Sequence, residues 1–178
     1  MGKDIKLTAS DGFEFGGYRA DTADTAKGAI VVIQEIFGVN HHIRSVCDRL
    51  AGAGYVAIAP AIFDRIEPNF QSGYSADEVA VARKFVANPD WAAMLRDTQA
   101  AIDAVKDVGP VGIIGFCLGG SVAYAAATKA TLPPRQKPMM PTGPALFAAS
   151  IAAWVSRSIA AQSGLATNLR ATAISSGE

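Results

Sequence analysis

The stretch from residue 111 to residue 128, VGIIGFCLGGSVAYAAAT, constrains the fold of this chain more than any other part of the sequence. Its apolar start over 111–114 is typical of a strand buried on both faces of a parallel sheet, and its Gly, Ser and Ala residues predict a closely packed helix over 119–128. Between them, glycines at 115 and 119 bracket Cys117. This is the spacing of a nucleophile elbow, a strained turn whose glycines make room for an exposed nucleophile.

Other readings of the same stretch are less well supported. A glycine-bracketed turn with a structural cysteine is the simplest alternative, but the strand before it and the helix after it favour a nucleophile. The string Gly-x-x-x-Gly-Gly is not the Gly-x-Gly-x-x-Gly of dinucleotide sites, and it lacks the Gly-Lys-Ser/Thr ending of a phosphate-binding loop. A helix that begins beneath the sulfur would also favour a thiolate and a developing oxyanion.

The rest of the first 132 residues reads as strands alternating with helices. The predicted strands are a hairpin over 5–20 with its turn at Ser10–Gly12, a buried strand over 29–33 and a second over 55–59 that stops at Pro60. The predicted helices are one from 41 that Asn40 caps and two more over 76–87 and 89–107. This order predicts an α/β fold with a mostly parallel sheet, flanking helices and an N-terminal antiparallel hairpin.

Composition excludes several classes of function. With 16 basic and 16 acidic residues among 178, the chain has no global charge that would favour nucleic acid or an anionic membrane as a partner. Cys47, Cys117, His41 and His42 are too few and too scattered for a disulfide framework or a structural zinc site. The N-terminus has no apolar signal segment, so we expect a cytoplasmic protein. Cys47 falls on the apolar side of its helix, where we expect core packing.

Two motifs together resemble a known family. QEIFGVNHHIRSVCDRLAGAGYVAIAP, followed by VGIIGFCLGGSVAYAAAT, is similar to the dienelactone hydrolase (carboxymethylenebutenolidase) family of α/β-hydrolases over about residues 5–132. The resemblance implies an α/β-hydrolase fold and hydrolysis of the enol-lactone ring of dienelactone in the breakdown of aromatic compounds. It also implies a small-molecule lactone or ester substrate, with no metal and no organic cofactor.

The resemblance also implies roles for individual residues. Cys117 corresponds to the nucleophile, Glu35 to the glutamate that helps to generate the thiolate, and the backbone N–H groups of Ile36 and Leu118 to the oxyanion hole. A carboxylate that ends an apolar strand must be paired, solvated or functional, so Glu35 stands out without the resemblance too. We expect His41 and His42 to form a solvated first helical turn rather than to supply a base, and Arg83 is aligned too loosely to be assigned.

The last 46 residues depart from the family pattern. Residues 1–128 hold 11 Lys and Arg against 15 Asp and Glu, whereas residues 129–178 hold five against one. Five prolines fall within 133–144, a single helix is predicted over about 144–162, and neither Asp nor His occurs beyond residue 132. We therefore predict a partial hydrolase domain over 1–132 and an atypical tail over 133–178. We expect this tail either to be translated from a shifted reading frame or to be a divergent terminus fused to a truncated hydrolase.

This departure shapes the expected function. A thiol nucleophile of this type needs a His base and an orienting Asp, and the family supplies both from later loops. We therefore expect a dienelactone hydrolase-like enzyme that attacks a lactone or carboxylic ester through Cys117 but turns over poorly. A non-catalytic, ligand-binding or regulatory remnant of the family is the alternative. A thiol redox sensor is disfavoured because no resolving cysteine lies nearby in the sequence.

Overall fold

The computed structural model describes residues 2–131, with side chains up to residue 128. The predicted tail over 133–178 and its helix over about 144–162 lie outside the described residues. Ten elements follow one another along the described chain: β1 (Lys3–Thr8), β2 (Glu14–Ala20), β3 (Ala29–Ile33), α1 (His41–Gly52), β4 (Val56–Pro60), α2 (Ala76–Phe85), α3 (Trp91–Asp103), a 3-10 turn (Lys106–Val108), β5 (Val111–Gly115) and α4 (Leu118–Thr131).

The five strands form one mixed sheet in the order β1-β2-β4-β3-β5. The β1–β2 hairpin is antiparallel, and β2 also pairs antiparallel with β4. The other two pairings, β3 with β4 and β3 with β5, are parallel. The predicted α/β architecture with an N-terminal hairpin is therefore confirmed, and β3 lies in the middle of its parallel part.

Helices cover both faces of this sheet. Because successive side chains of a strand point to opposite faces, β3 contributes to the packing on both sides. Val32 faces α1 and packs in a cluster with Ile43 and Cys47. Val31 and Ile33 face the other way, into the larger cluster that contains residues of α3 and α4. All three β3 residues are fully buried, so the apolar run over 29–33 is explained by burial on both faces.

Local signals set most element ends. The Asn40 Oδ1 atom accepts hydrogen bonds from the His42 and Ile43 backbone N–H groups at 3.1 and 3.3 Å, and so caps α1 as predicted. Gly12 adopts a φ of 83° in the hairpin turn. Several predicted ends need correction: β4 runs from Val56 through Pro60, and the helix predicted over 76–87 ends at Phe85. The helix predicted over 89–107 runs only from Trp91 to Asp103, before a separate 3-10 turn.

Candidate active site

The turn that carries Cys117 has the strained geometry that its sequence predicts. Cys117 adopts a φ of 52°, a left-handed conformation that costs a non-glycine residue about 1–3 kcal/mol. A Cβ atom on Gly115 would overlap the backbone of Gly119, and one on Gly119 would overlap the carbonyl oxygens of Ile33 and Gln34. The two glycines are therefore required by close backbone approach, and the cysteine between them is exposed.

The sheet brings Glu35 and Cys117 to the same edge. Ile33 pairs with Gly115 in the parallel register of β3 and β5, and Glu35 and Cys117 each follow that pair by two residues. A hydrogen bond of 3.2 Å from the Phe116 N–H to the Ile33 carbonyl extends the pairing beyond the strands. The carboxyl ends of neighbouring parallel strands are where open α/β sheets place their sites.

Two backbone donors lie beside these side chains in the sequence. Leu118 is the first residue of α4, so its N–H has no partner within the helix. Within residues 2–131, neither the Leu118 nor the Ile36 N–H donates a hydrogen bond to a backbone carbonyl or a side chain. The Gly119 and Gly120 N–H groups, by contrast, donate to the Phe116 and Cys117 carbonyls at 2.8 and 3.0 Å. The N–H groups of Ile36, after β3, and of Leu118, after β5, therefore have no partner among the described residues.

Glu35 is half-buried and its carboxylate contacts a loop that the sequence did not single out. The Tyr74 hydroxyl donates to Glu35 Oε2 at 3.3 Å, and the Asn40 Nδ2 atom donates to the Tyr74 hydroxyl at 3.4 Å. The Tyr74 ring meets the Phe37 ring edge-on, with centroids 4.6 Å apart. The Ser75-x-x-Glu78 capping box just after Tyr74 is the sequence signal that could have located this loop.

Gln34, directly before Glu35, is a further polar residue that sequence reasoning missed. Its side chain is fully buried. Its Nε2 atom donates a long hydrogen bond of 3.4 Å to the Glu35 carbonyl, and its Oε1 atom has no partner in the described part of the chain. A buried amide oxygen without a hydrogen-bond partner destabilises the fold, so the end of β3 is not optimised for packing alone.

The two histidines and Arg83 occupy less central positions. His41 is exposed at the start of α1, whereas His42 is half-buried and its ring lies edge-on to Phe116, with centroids 5.9 Å apart. The expected solvated turn is therefore correct for His41 but only partly so for His42. Arg83 is exposed on α2. Neither the sequence position of Arg83 nor its exposure assigns a role to this residue.

Cys47, the other cysteine, lies in a quite different environment. It is fully buried on α1, as its place on the apolar side of that helix predicted. Burial raises the pKa of its thiol to about 12, with the neighbouring Asp48 carboxylate adding to the effect. Cys47 therefore stays a protonated core residue at neutral pH, and Cys117 is the accessible thiol.

The remaining points concern metal ligands, membrane-spanning helices and a cavity in the described part of the chain. No cluster of three or more His, Cys, Asp or Glu side chains within residues 2–131 could hold a metal ion. None of the described helices is long and apolar enough to cross a membrane. A cavity of about 480 Å³ lies between the hairpin and the loop after β4, beside Arg44 and Asp64, and neither Cys117 nor Glu35 lines it.

Comparison with known proteins finds a family whose sequence pattern matches most of the described chain. The profile of the dienelactone hydrolase family matches residues 15–134. A Synechocystis sp. protein described as "Putative carboxymethylenebutenolidase" is 40% identical over 142 residues, which cover 74% of this chain and 58% of that protein. A carboxymethylenebutenolidase of Pseudomonas putida is 32% identical over 134 residues, which cover 70% of this chain and 55% of that enzyme.

A solved structure is similar as well. A dienelactone hydrolase-like promiscuous phosphotriesterase from metagenomic libraries superimposes with a TM-score of 0.54 at 26% identity, over 72% of this chain and 54% of that one. The 178 residues span little more than half the length of the curated relatives that they match. The shared part includes both strands whose ends carry Glu35 and Cys117.

Proposed function

The chain belongs to the dienelactone hydrolase family, and we propose that it performs the acyl-transfer step of such a hydrolase on a lactone or carboxylic ester, with Cys117 as the nucleophile. The observation that carries this proposal is the strained, exposed position of Cys117 between two glycines that cannot bear side chains. Strain of this kind persists where it serves a function, because the same turn could otherwise relax.

The proposed chemistry uses groups that the fold holds at one edge of the sheet. The Cys117 sulfur, deprotonated with the help of Glu35, attacks the carbonyl carbon, and the carbonyl electron pair moves onto oxygen. The Ile36 and Leu118 N–H groups donate to that oxyanion, a charge that exists only in the transition state and intermediate. Collapse breaks the carbon–oxygen ester bond, the leaving alkoxide takes up a proton, and a thioester on Cys117 remains.

Turnover requires a second half-reaction for which these residues are less well equipped. Water must attack the thioester, and in triad hydrolases a His oriented by an Asp removes the proton from that water. The sequence contains no His beyond residue 42 and no Asp beyond residue 107. We therefore propose that acylation is fast compared with deacylation, so that the chain as given accumulates the acyl form.

A burst experiment tests this function. With 4-nitrophenyl acetate we expect one equivalent of 4-nitrophenolate per chain in a first turnover, followed by a much slower steady state. With dienelactone, tested in parallel, we expect rapid consumption of one equivalent of lactone per chain, because ring opening leaves the whole product attached to Cys117. Cys117→Ala should abolish the burst. Glu35→Gln should slow it by about 100-fold, in the range of general-base assistance. Glu67→Gln, which changes an exposed glutamate of the loop after β4, is the matched control and should leave the burst unchanged.

The outcomes separate the candidate functions. Binding of dienelactone without acylation of Cys117 would support a non-catalytic member of the family instead. Multiple rapid turnovers would contradict the proposed block in deacylation. A burst that persists in Cys117→Ala would show that another residue is the nucleophile, and the proposal would then be wrong.

A further inference from the structure

We propose that Tyr74 is a positioning residue for Glu35, an inference that rests on the proposed function because Glu35 is the group that assists Cys117. Tyr74 and Glu35 are 39 residues apart in the sequence, yet the Tyr74 hydroxyl lies 3.3 Å from Glu35 Oε2. The Tyr74 side chain is otherwise 52% exposed, so burial of its ring does not explain why the hydroxyl sits there.

The direction of the hydrogen bonds follows from the helix cap. Asn40 Oδ1 already accepts two N–H groups of α1, so the other end of this amide, the Nδ2 group, faces the loop. That group can only donate, and it does so to the Tyr74 hydroxyl at 3.4 Å and to the Ser72 carbonyl at 3.3 Å. The hydroxyl therefore accepts from Asn40 and is free to give its single proton to Glu35.

The backbone around Tyr74 is fixed from two sides. On one side, the Ser72 N–H donates to the Phe37 carbonyl at 3.0 Å, and Gly38 forms a β-bridge with Gln71. These contacts tie the loop to the segment that follows Glu35. Tyr74 is therefore joined to the neighbourhood of Glu35 by main-chain bonds as well as by its own side chain.

On the other side, Glu78 of α2 ties down both neighbours of Tyr74. Its carboxylate accepts the Gly73 and Ser75 N–H groups, each at 3.0 Å, and the Ser75 hydroxyl at 2.6 Å. The Ser75 hydroxyl, together with the two N–H groups, lowers the pKa of Glu78 below its ordinary value. These bonds hold the backbone on both sides of Tyr74, so its side chain is presented in a fixed position.

The consequence for Glu35 is an oriented carboxylate. A hydrogen-bond chain runs from Asn40 through the Tyr74 hydroxyl and ends on Glu35 Oε2. This chain restricts the rotation of the carboxylate at the sheet edge beside the elbow. A base that takes the Cys117 proton must lie within hydrogen-bond reach of it, so a fixed position favours the transfer. Because the two bonds are 3.3 and 3.4 Å long, the expected effect is modest.

A double-mutant cycle on the acylation burst tests the role of Tyr74. Tyr74→Phe keeps the ring that contacts Phe37 and removes only the hydroxyl. We expect it to slow the burst with 4-nitrophenyl acetate by about two- to tenfold, the range of one modest hydrogen bond. In a Glu35→Gln background the same substitution should have no further effect, because the group that it positions is gone. Tyr124→Phe, which changes a tyrosine that is 47% exposed on α4, is the matched control.

Two results would overturn the inference while leaving the proposed function intact. One is a burst rate in Tyr74→Phe equal to that of the unmodified chain. The other is an equal slowing by Tyr74→Phe with and without Glu35, since a purely structural role would act in both backgrounds. If the unmodified chain shows no burst, the proposed function fails. Urea unfolding of the unmodified chain, Tyr74→Phe, Glu35→Ala and the double variant then decides the inference, because alanine, unlike glutamine, leaves no acceptor for the Tyr74 hydroxyl. Non-additive losses support the contact between Tyr74 and Glu35, and additive losses contradict it.

Discussion

Cys47 and Cys117 show how far local structure decides what the same side chain does. Cys47 is one of twelve residues of α1, and it packs between this helix and the sheet among Ile43, Val46 and other apolar side chains. Cys117 lies at the apex of the turn between β5 and α4, exposed and with a positive φ. The first thiol contributes to stability, and the second is presented to solvent at a cost in backbone energy.

The difference lies in the neighbours rather than in the cysteines. The helix that carries Cys47 ends at Gly52, where a Cβ atom would meet no other atom within 4 Å. Gly115 and Gly119, on either side of Cys117, are in such close backbone contact that no side chain fits at either position. Whether a glycine tolerates a side chain therefore distinguishes the end of the structural helix from the constrained turn. The following experiments test this contrast, starting with the largest expected effect.

Alkylation rates should separate the two thiols most strongly. With a pKa of about 12, only about one Cys47 thiol in ten thousand is ionised at pH 8, and that thiol is buried as well. Iodoacetamide followed by peptide mass spectrometry should modify Cys117 at least about 100-fold faster than Cys47 in the folded chain. In urea the two rates should converge. Comparable rates without denaturant would contradict the contrast.

The glycines should differ nearly as much in their tolerance of a methyl group. Gly119→Ala places a Cβ atom against the Ile33 and Gln34 carbonyls, so we expect a loss of at least about 3 kcal/mol in the free energy of unfolding, the upper end for overpacking. Gly52→Ala, the matched change in α1, should be neutral or stabilising by up to about 1 kcal/mol. Urea unfolding measures both. Equal effects would mean that the turn has more room than the structure shows.

Replacing each cysteine by serine changes a single atom, and the loss of stability should differ between the two positions. Cys47→Ser buries a hydroxyl among apolar side chains, and we expect it to cost about 1–3 kcal/mol of unfolding free energy. Cys117→Ser changes an exposed atom, so its cost should stay within about 0.5 kcal/mol. Thermal and urea unfolding supply the values. A larger loss at 117 than at 47 would reverse our assignment of the structural and the exposed cysteine.

The smallest expected effect is an acid dependence that arises in the hairpin turn. Arg65 donates to the Asp11 carboxylate at 3.0 Å and, with the Phe13 N–H and Arg96, lowers the pKa of Asp11 from 3.8 to about 2. The unfolded chain binds this proton more readily, so the stabilising contribution is present above about pH 4 and is lost as the pH falls toward 2. Asp11→Asn should therefore be less stable than the unmodified chain at pH 6, and the difference should shrink below pH 4.

The Asp11 substitution should not affect the elbow around Cys117. The Asp11 variant should acylate Cys117 at the unmodified rate at pH 7, because the hydrogen-bond partners of Asp11 are Arg65, Arg96 and the Phe13 N–H, none of which belongs to the elbow. A slower burst in this variant would indicate that the hairpin and the elbow are coupled.

Local patterns in the sequence were sufficient for much of this structure. The apolar run over 29–33, the Asn40 cap and the glycines around Cys117 each act within a few residues, so β3, α1 and the elbow were predictable. The contact between Tyr74 and Glu35 was not, because it joins positions 39 residues apart through a loop that has no periodic pattern. The position of β4 between β2 and β3 likewise depends on tertiary packing that no short window of sequence contains.

Site-specific acylation tests the central claim most directly. The unmodified chain, Cys117→Ala and Cys47→Ala are each incubated with 4-nitrophenyl acetate at pH 7, quenched and examined by intact and peptide mass spectrometry. We expect one acetyl group per chain on Cys117 in the unmodified chain and in Cys47→Ala, and none in Cys117→Ala. Acetylation of Cys47, or of Cys117→Ala to the same extent, would contradict the assignment of Cys117 as the nucleophile.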